Sequence, residues 1–164
     1  MNTKAIARYG LLTAMMLILG FLESRIPVAM AIPGVKLGLA NAVLLYALYL
    51  MGGKSALILM VLKVVLSGLS FSGLSAMMYS AAGSALSLAL MVLLKKIKGF
   101  SVLGVSVVGA AGHNVGQLAV ACLITGSWVP MAQLPLLLVS AVLTGIATGL
   151  AARLTVKHLG GGNI

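Results

Sequence analysis

The chain has almost no acidic side chains: Glu23 is the only carboxylate residue among 164, against eleven lysines and arginines. Divalent hard cations need several oxygen ligands, usually carboxylates, so we expect no metal site of that kind and no cofactor. Cys122 is the single cysteine, which excludes an internal disulfide and a CxxC metal site, and we interpret it as a small buried hydrophobe. Long polar stretches are also missing, so the sequence predicts one compact domain over residues 1–164.

What the chain has instead is apolar sequence, at 62% of its residues. About 17 to 25 such residues cross the roughly 30 Å hydrocarbon core of a bilayer as a helix. Segments of suitable length fall near residues 5–24, 36–51, 54–71, 73–94, 101–126 and 131–153. We therefore predict an all-α integral membrane protein, a single bundle of six transmembrane helices. The first segment is interpreted as a retained helix, because it ends at Glu23, Ser24 and Arg25 without a small-residue cleavage site.

The basic residues are distributed unevenly between the two sides of this predicted bundle. With six helices both termini share one side, and eight of the eleven basic residues lie there: Lys4, Arg8, Lys54, Lys95, Lys96, Lys98, Arg153 and Lys157. The positive-inside rule makes that side cytoplasmic, which predicts a multi-pass protein of the plasma membrane with both termini in the cytoplasm. Because topology accounts for the net charge of +10, we expect the lipid bilayer as a partner and no nucleic acid.

Polar residues inside the predicted spans are the candidates for function. A charge at bilayer depth costs on the order of 3 kcal/mol, so a residue that is kept there needs a partner or a role. His113 and Gln117 are four residues apart and share one helix face. We predict a ligand pocket in the outer half of the bundle, formed by Glu23, Arg25, Lys36, Asn41, Lys63, Tyr79, His113, Asn114 and Gln117.

Positive charge exceeds negative charge in this predicted pocket, so an anionic small molecule is its natural complement. Pro27 and Pro33 interrupt the helix ahead of the second span, and a helix N-terminus beside Lys36 would favour an anion. Other interpretations stay open. Glu23 could form a structural ion pair, and the cations nearest the outer surface could extend to lipid head groups. His113 could be a hydrogen-bonded packing residue.

Small residues recur every four positions in three of the predicted helices. They are Gly10 and Ala14 in the first, Gly112 and Gly116 in the fifth, and Ala141, Gly145 and Gly149 in the sixth. Such spacing lets helix backbones approach closely in lipid. It indicates either packing within the bundle or a docking face for another membrane subunit.

Three stretches carry a family resemblance: FLESRIP at 21–27, PGVKLGLAN at 33–41 and GVSVVGAAGHNVGQ at 104–117. They resemble the Gx transporter family, also known as heptaprenyl diphosphate synthase component I, and the likeness covers nearly the whole chain. That family is similar to the S components of energy-coupling-factor transporters, which are six-helix proteins that bind a small molecule from the outer side. The resemblance implies a transmembrane coupling subunit facing Gly10 and Ala14, partner ATPases, and an isoprenoid- or quinone-related ligand.

Three catalytic sites are excluded by the residues themselves. The chain lacks the aspartates that hold magnesium in trans-type prenyl diphosphate synthases. The GGKS at residues 52–55 is not a Walker A motif, because Leu48 stands where its first glycine belongs. No nucleophile motif accompanies His113. Three hypotheses remain: a non-catalytic substrate-binding subunit of a transporter, a membrane accessory subunit of a prenyl synthase, or an assembly factor of a quinone-linked redox system.

Overall fold

The structure, a computed structural model, describes residues 3–25 and 38–160, and these contain helices and no strand. The α-helices are α1 Thr3–Ser24, α2 Leu39–Leu50, α3 Gly53–Ser67, α4 Gly73–Lys95, α5 Val102–Thr125 and α6 Leu134–Gly160. A π-helical turn, Gly68–Ser72, joins α3 to α4, and a 3-10 turn, Val129–Gln133, precedes α6. The last helix therefore begins three residues later and ends seven residues later than predicted.

Local sequence explains where α5 and α6 begin and end. The Ser101 side chain accepts a hydrogen bond from the Gly104 amide at 3.1 Å and so caps the start of α5. Gly126 ends the same helix in the left-handed conformation, with φ 60°. Pro135 lies in the first turn of α6, where its missing amide hydrogen costs nothing.

Four helical stretches are long and apolar enough to cross a membrane: Thr3–Ser24, Gly53–Lys95, Val102–Thr125 and Val129–His158. At most 28% of the most apolar window in each is buried inside the protein, so most of these side chains face outward. The helices indicate a multi-pass membrane protein. The predicted count of six spans is not confirmed, because α2 has only twelve residues and Gly53–Lys95 is one continuous helical run of 43.

That run nevertheless reverses direction at the π-helical turn. A straight helix of its length would measure roughly 65 Å, about twice the hydrocarbon thickness. Gly73 has φ 82°, a conformation that L side chains rarely adopt. A β-carbon added at Gly53 would lie 3.6 Å from a methyl carbon of Val92. The start of α3 thus lies beside the end of α4, and the two helices form a hairpin.

Contacts between neighbouring helices gather the basic helix ends at one end of the bundle. The Tyr9 hydroxyl of α1 donates to Ser55 Oγ of α3 at 2.7 Å. Lys95 Nζ at the end of α4 donates to the Leu48 carbonyl of α2 at 2.7 Å and lies 4.8 Å from the centre of the Tyr49 ring. We call this the basic end: the end of the bundle at which α1, α3 and α5 begin.

The other end of α2 lies well inside the bundle. Its N-cap, Gly38, has φ 73° and donates its amide hydrogen to Glu23 Oε1 at the end of α1. A β-carbon at Gly38 would lie 3.6 Å from Thr148 Cγ2. Thr148 is fourteen residues into α6, about 21 Å from the start of that helix. Glu23 therefore lies deeper than the outer end of the bundle.

The small residues of α5 and α6 are used for packing within the bundle. A β-carbon at Gly116 would lie 2.7 Å from the Ala82 carbonyl oxygen of α4, and one at Gly145 would lie 2.6 Å from Val107 Cα of α5. In α1, by contrast, Gly10 has no heavy atom within 4 Å of such a position. Ala14 is exposed as well.

Candidate ligand-binding cavity

A cavity of about 230 Å³ lies among the helices, and all six contribute to its wall. It reaches from the π-helical turn to the level of Met16 in α1, Leu45 in α2 and Met91 in α4. Those three side chains are at most 3% exposed. This end of the cavity is therefore surrounded by buried apolar side chains.

Five of the predicted site residues line this one cavity: Glu23, Asn41, Lys63, His113 and Asn114. They come from α1, α2, α3 and α5, so the fold brings together residues that are up to 91 positions apart. The exposed fraction is 4% for Glu23 and 8% for both His113 and Asn114. Polar side chains buried this deeply in a membrane bundle need hydrogen-bonding partners.

Three other predicted residues lie outside the cavity wall. The Arg25 guanidinium lies over the ring of Phe21, 4.9 Å from its centre. Tyr79 is half-buried on α4. Gln117 packs against Gly83, where a β-carbon would lie 2.9 Å from Gln117 Cγ. Lys36, together with the proline-rich segment around it, lies outside the described residues.

Glu23 is engaged with the N-terminus of α2. The first amides of a helix are unpaired and carry a positive partial charge, which a carboxylate stabilises. The Gly38 amide donates to Glu23 Oε1, so the Glu23 carboxylate stabilises the N-terminus of α2 in this way. The predicted anion cradle at this helix therefore already contains an anionic group that belongs to the chain itself.

Asn114 links α5 to α6. Its Nδ2 donates to the Leu137 carbonyl at 2.8 Å, and Ser140 Oγ donates to the same oxygen at 2.9 Å. The Asn114 side chain is thereby fixed in one orientation against the cavity. A carboxamide held in this way can offer its remaining donor and acceptor positions to a ligand.

Hydroxyl groups make up most of the polar wall, and sequence reasoning missed nearly all of them. They belong to Ser24, Ser67, Ser72, Ser80, Ser87, Ser106, Thr144 and Thr148. An isolated serine or threonine in a helix can hydrogen-bond its own backbone and then carries no sign of function. A detectable signal is the spacing along α4, where Ser80 and Ser87 are seven residues apart and so lie on one face.

An aromatic pair lies where the π-helical turn meets α1. Phe71 lines the cavity, and its ring contacts that of Phe21 edge to face with centroids 5.6 Å apart. Such T-shaped pairs are a favourable aromatic arrangement. π-helical turns inside helices occur frequently at functional sites. This pair closes one side of the cavity between α1 and the α3–α4 junction.

The wall carries groups that can form hydrogen bonds with a polar molecule. Hydroxyls, two carboxamides and an imidazole form hydrogen bonds that are stronger in a low-dielectric interior than in water. Glu23 and Lys63 bring one formal charge of each sign. Among residues 3–25 and 38–160, no three histidine, cysteine or acidic side chains lie close enough together to hold a metal ion.

Comparisons with known proteins bear on the whole of this architecture. No curated protein matches the chain, and no solved structure matches it. A family model does match, that of heptaprenyl diphosphate synthase component I, over residues 12–155. The matched range contains every residue that lines the cavity. The chain belongs to the heptaprenyl diphosphate synthase component I family.

Proposed function

We propose that this protein is a non-catalytic, substrate-binding membrane subunit that captures a small polar molecule, in the manner of the S component of an energy-coupling-factor transporter. The observation that carries the proposal is a cavity with many polar side chains in its wall, to which all six apolar helices contribute. A buried polar wall costs free energy unless its groups are hydrogen-bonded. A ligand with matching polar groups can use the donor and acceptor positions that remain after the wall's own hydrogen bonds are made.

The volume of the cavity supports a small ligand. Pockets for drug-sized ligands measure about 300 to 1,000 Å³, so a cavity of about 230 Å³ suits a somewhat smaller molecule. A complete heptaprenyl chain is much larger than that. The cavity suits a small molecule, or the polar head of a larger one, better than it suits the lipid named in the family description.

In this proposal the six helices form one bundle embedded in the membrane, and its basic end is cytoplasmic. The α3–α4 hairpin supports two crossings for the run Gly53–Lys95, and the basic helix ends satisfy the positive-inside rule. The cavity then opens toward the outer side. Lys63 lies ten residues beyond the start of α3, about 15 Å from the basic end. Its ammonium group would meet the negatively charged part of the ligand.

The family description names a component, which favours a protein that works with other subunits. For a transporter these would be a transmembrane coupling subunit and ATPases. An accessory role beside a soluble prenyl synthase would instead bring an aspartate-rich enzyme, and a redox role would bring flavin proteins. Affinity purification from native membranes, followed by proteomics, distinguishes the three. Enrichment of a prenyl synthase without ATPases would replace the transporter proposal.

Native mass spectrometry of the purified protein tests ligand capture directly. We expect a small molecule to be retained by the wild type and lost from Lys63→Met, which removes the charge and keeps much of the bulk. Lys54→Met is the matched control, because Lys54 is exposed at the start of the same helix. Wild type that retains no small molecule, or equal retention in both variants, would contradict a binding site at Lys63.

Cysteine labelling tests the orientation. In a Cys122→Ala background, single cysteines at Trp128 and Lys96 report the two ends of the bundle. Trp128 is 79% exposed and follows α5 at the end opposite the basic one. An impermeant reagent applied to intact cells should label position 128 and spare position 96. The reverse pattern would turn the cavity toward the cytoplasm and exclude capture from outside.

A further inference from the structure

We propose that the outward face of α6 binds an anionic phospholipid of the leaflet that surrounds the basic end. We name this face the α6 lipid surface and define it by two cations and three apolar side chains: Arg153, Lys157, Leu143, Ile146 and Leu150. All five are exposed on the outside of the bundle. The proposal is therefore independent of what the cavity binds.

The α6 lipid surface has a charged end and an apolar end. Leu150, Ile146 and Leu143 precede Arg153 by three, seven and ten residues, and Lys157 follows it by four. Such intervals return to one face of a helix. The exposed fraction is 47% for Leu150, 44% for Ile146 and 67% for Leu143. One face of α6 thus ends in two cations and continues along the bundle as an apolar stripe.

Packing against α5 shows at which level the cations lie. A β-carbon at Gly145 would lie 2.6 Å from Val107 Cα, and one at Gly149 would lie 3.0 Å from Leu103 Cα. The two helices are therefore antiparallel neighbours, and each step of four residues along α6 moves four residues back along α5. One further turn brings Arg153 level with the turn that precedes α5. The cations lie at the basic end, and the stripe extends from there toward the middle of the bundle.

The space beside this surface has the shape of a shallow groove. Helix α5 packs between α4 and α6, and its face away from the cavity carries Val108, Ala111 and Val115. These three side chains are half-buried, whereas the apolar stripe on α6 is exposed. An acyl chain lying in this groove would contact the recessed side of α5 and the stripe on α6 together.

Charge complementarity identifies the head group as an anion. Glu23 is the only acidic residue of the chain, and it lies near the last residue of α1, at the end opposite the basic one. No acidic side chain is therefore at hand for Arg153 and Lys157. Basic residues beside a membrane attract anionic lipid head groups. A soluble acidic protein would meet the cations but would not reach the apolar stripe within the hydrocarbon, so a phospholipid fits both parts.

Native mass spectrometry in detergent tests this preference with two lipids of identical acyl chains, phosphatidylglycerol and phosphatidylcholine, supplied in equal amounts. We expect the wild type to retain more phosphatidylglycerol than phosphatidylcholine. Exchanging both cations, as Arg153→Gln with Lys157→Gln, should lower the ratio of the two retained lipids by about fivefold or more, since each basic residue contributes about that factor. Equal retention of the two lipids by the wild type would overturn the inference.

Two further measurements separate the α6 lipid surface from charge in general. Lys98→Gln is the matched control, because it removes a charge at the same end from the turn after α4 and leaves α6 unchanged. We expect it to preserve the lipid ratio, and a loss as large as that of the α6 variant would contradict the surface. Inorganic phosphate lacks an acyl chain and should not displace the retained lipid. Displacement by phosphate would contradict a role for the apolar stripe.

The substituted side chains are exposed, so the α6 variant should keep its fold, which circular dichroism verifies. A protein partner is the competing occupant of these cations. If the α6 variant retained both lipids as the wild type does and lost a co-purifying subunit, the cations would belong to a protein interface and the inference would be wrong.

Discussion

Two regions of the molecule carry the same small-residue spacing and use it differently. In α5, Gly112 and Gly116 lie directly against α4, and the added β-carbon at Gly116 would approach backbone atoms of Ala82 and Gly83 within 2.9 Å. In α1, Gly10 and Ala14 are exposed, and a β-carbon added at Gly10 would have no atom of another described helix within 4 Å. The spacing alone therefore cannot tell an internal contact from an external surface.

The difference follows from what surrounds each helix. Helix α5 packs between α4 and α6, and close approach there gains van der Waals contact, which drives helix association in lipid. Helix α1 has the lowest buried share of the four long stretches, at 17%. Its small residues remain available to lipid or to another subunit. This is the surface that the resemblance to S components assigns to a coupling subunit, and its occupant remains a proposal.

The strongest test of this comparison is Gly116→Ala. The new methyl group would meet backbone atoms, which cannot turn aside, so we expect a loss of about 2 to 3 kcal/mol of stability. Thermal unfolding in detergent, followed by circular dichroism, measures it. A melting temperature equal to that of the wild type would mean that α4 and α5 are less closely packed than described.

A smaller loss is expected for Gly109→Ala, also in α5. Here the new methyl group would lie 2.7 Å from Met91 Cγ and 2.8 Å from its sulfur. Methionine is flexible and adapts to a changed neighbour. We therefore expect a loss of about 1 kcal/mol, at the low end of the range for overpacking. Destabilisation as large as that of Gly116→Ala would show that Met91 has no room to move.

The smallest effect on folding is expected for Gly10→Ala in α1. With no neighbour within 4 Å, the change should raise stability slightly, by about 0.5 kcal/mol, because alanine favours helix. Gly10→Leu should leave the melting temperature nearly unchanged and reduce co-purification of a membrane partner. Unchanged co-purification would assign this face to lipid.

Much of the helical architecture could be predicted from apolar length and charge. The largely apolar segment near residues 101–126 was predicted to be a helix, and α5, Val102–Thr125, differs from it by one residue at either end. Asn41, Lys63 and His113 could be selected because their side chains are unusual in hydrocarbon. Their meeting in one cavity depends on tertiary packing. The sequence indicated residues of the cavity wall only where a side chain was conspicuous for its polarity.

The remainder could not be predicted from residue type. Ser87, Ser106 and Thr148 resemble ordinary helix residues until packing turns them toward one space. Gln117 shares a helix face with His113, yet it packs against α4 outside the cavity wall. One turn of helix changes the neighbour that a side chain meets. Whether Arg25, Tyr79 and Gln117 contribute to binding stays a prediction.

The short helix α2 is held at both ends by charged side chains from other helices. Glu23 of α1 lies at its N-terminus and Lys95 of α4 at its C-terminus, each with the sign that complements the helix dipole. Twelve residues are marginal for an isolated helix. The rate of hydrogen exchange at the α2 amides should consequently depend on both Glu23 and Lys95, although these residues belong to different helices. Local opening of this helix therefore requires α1 or α4 to release it first.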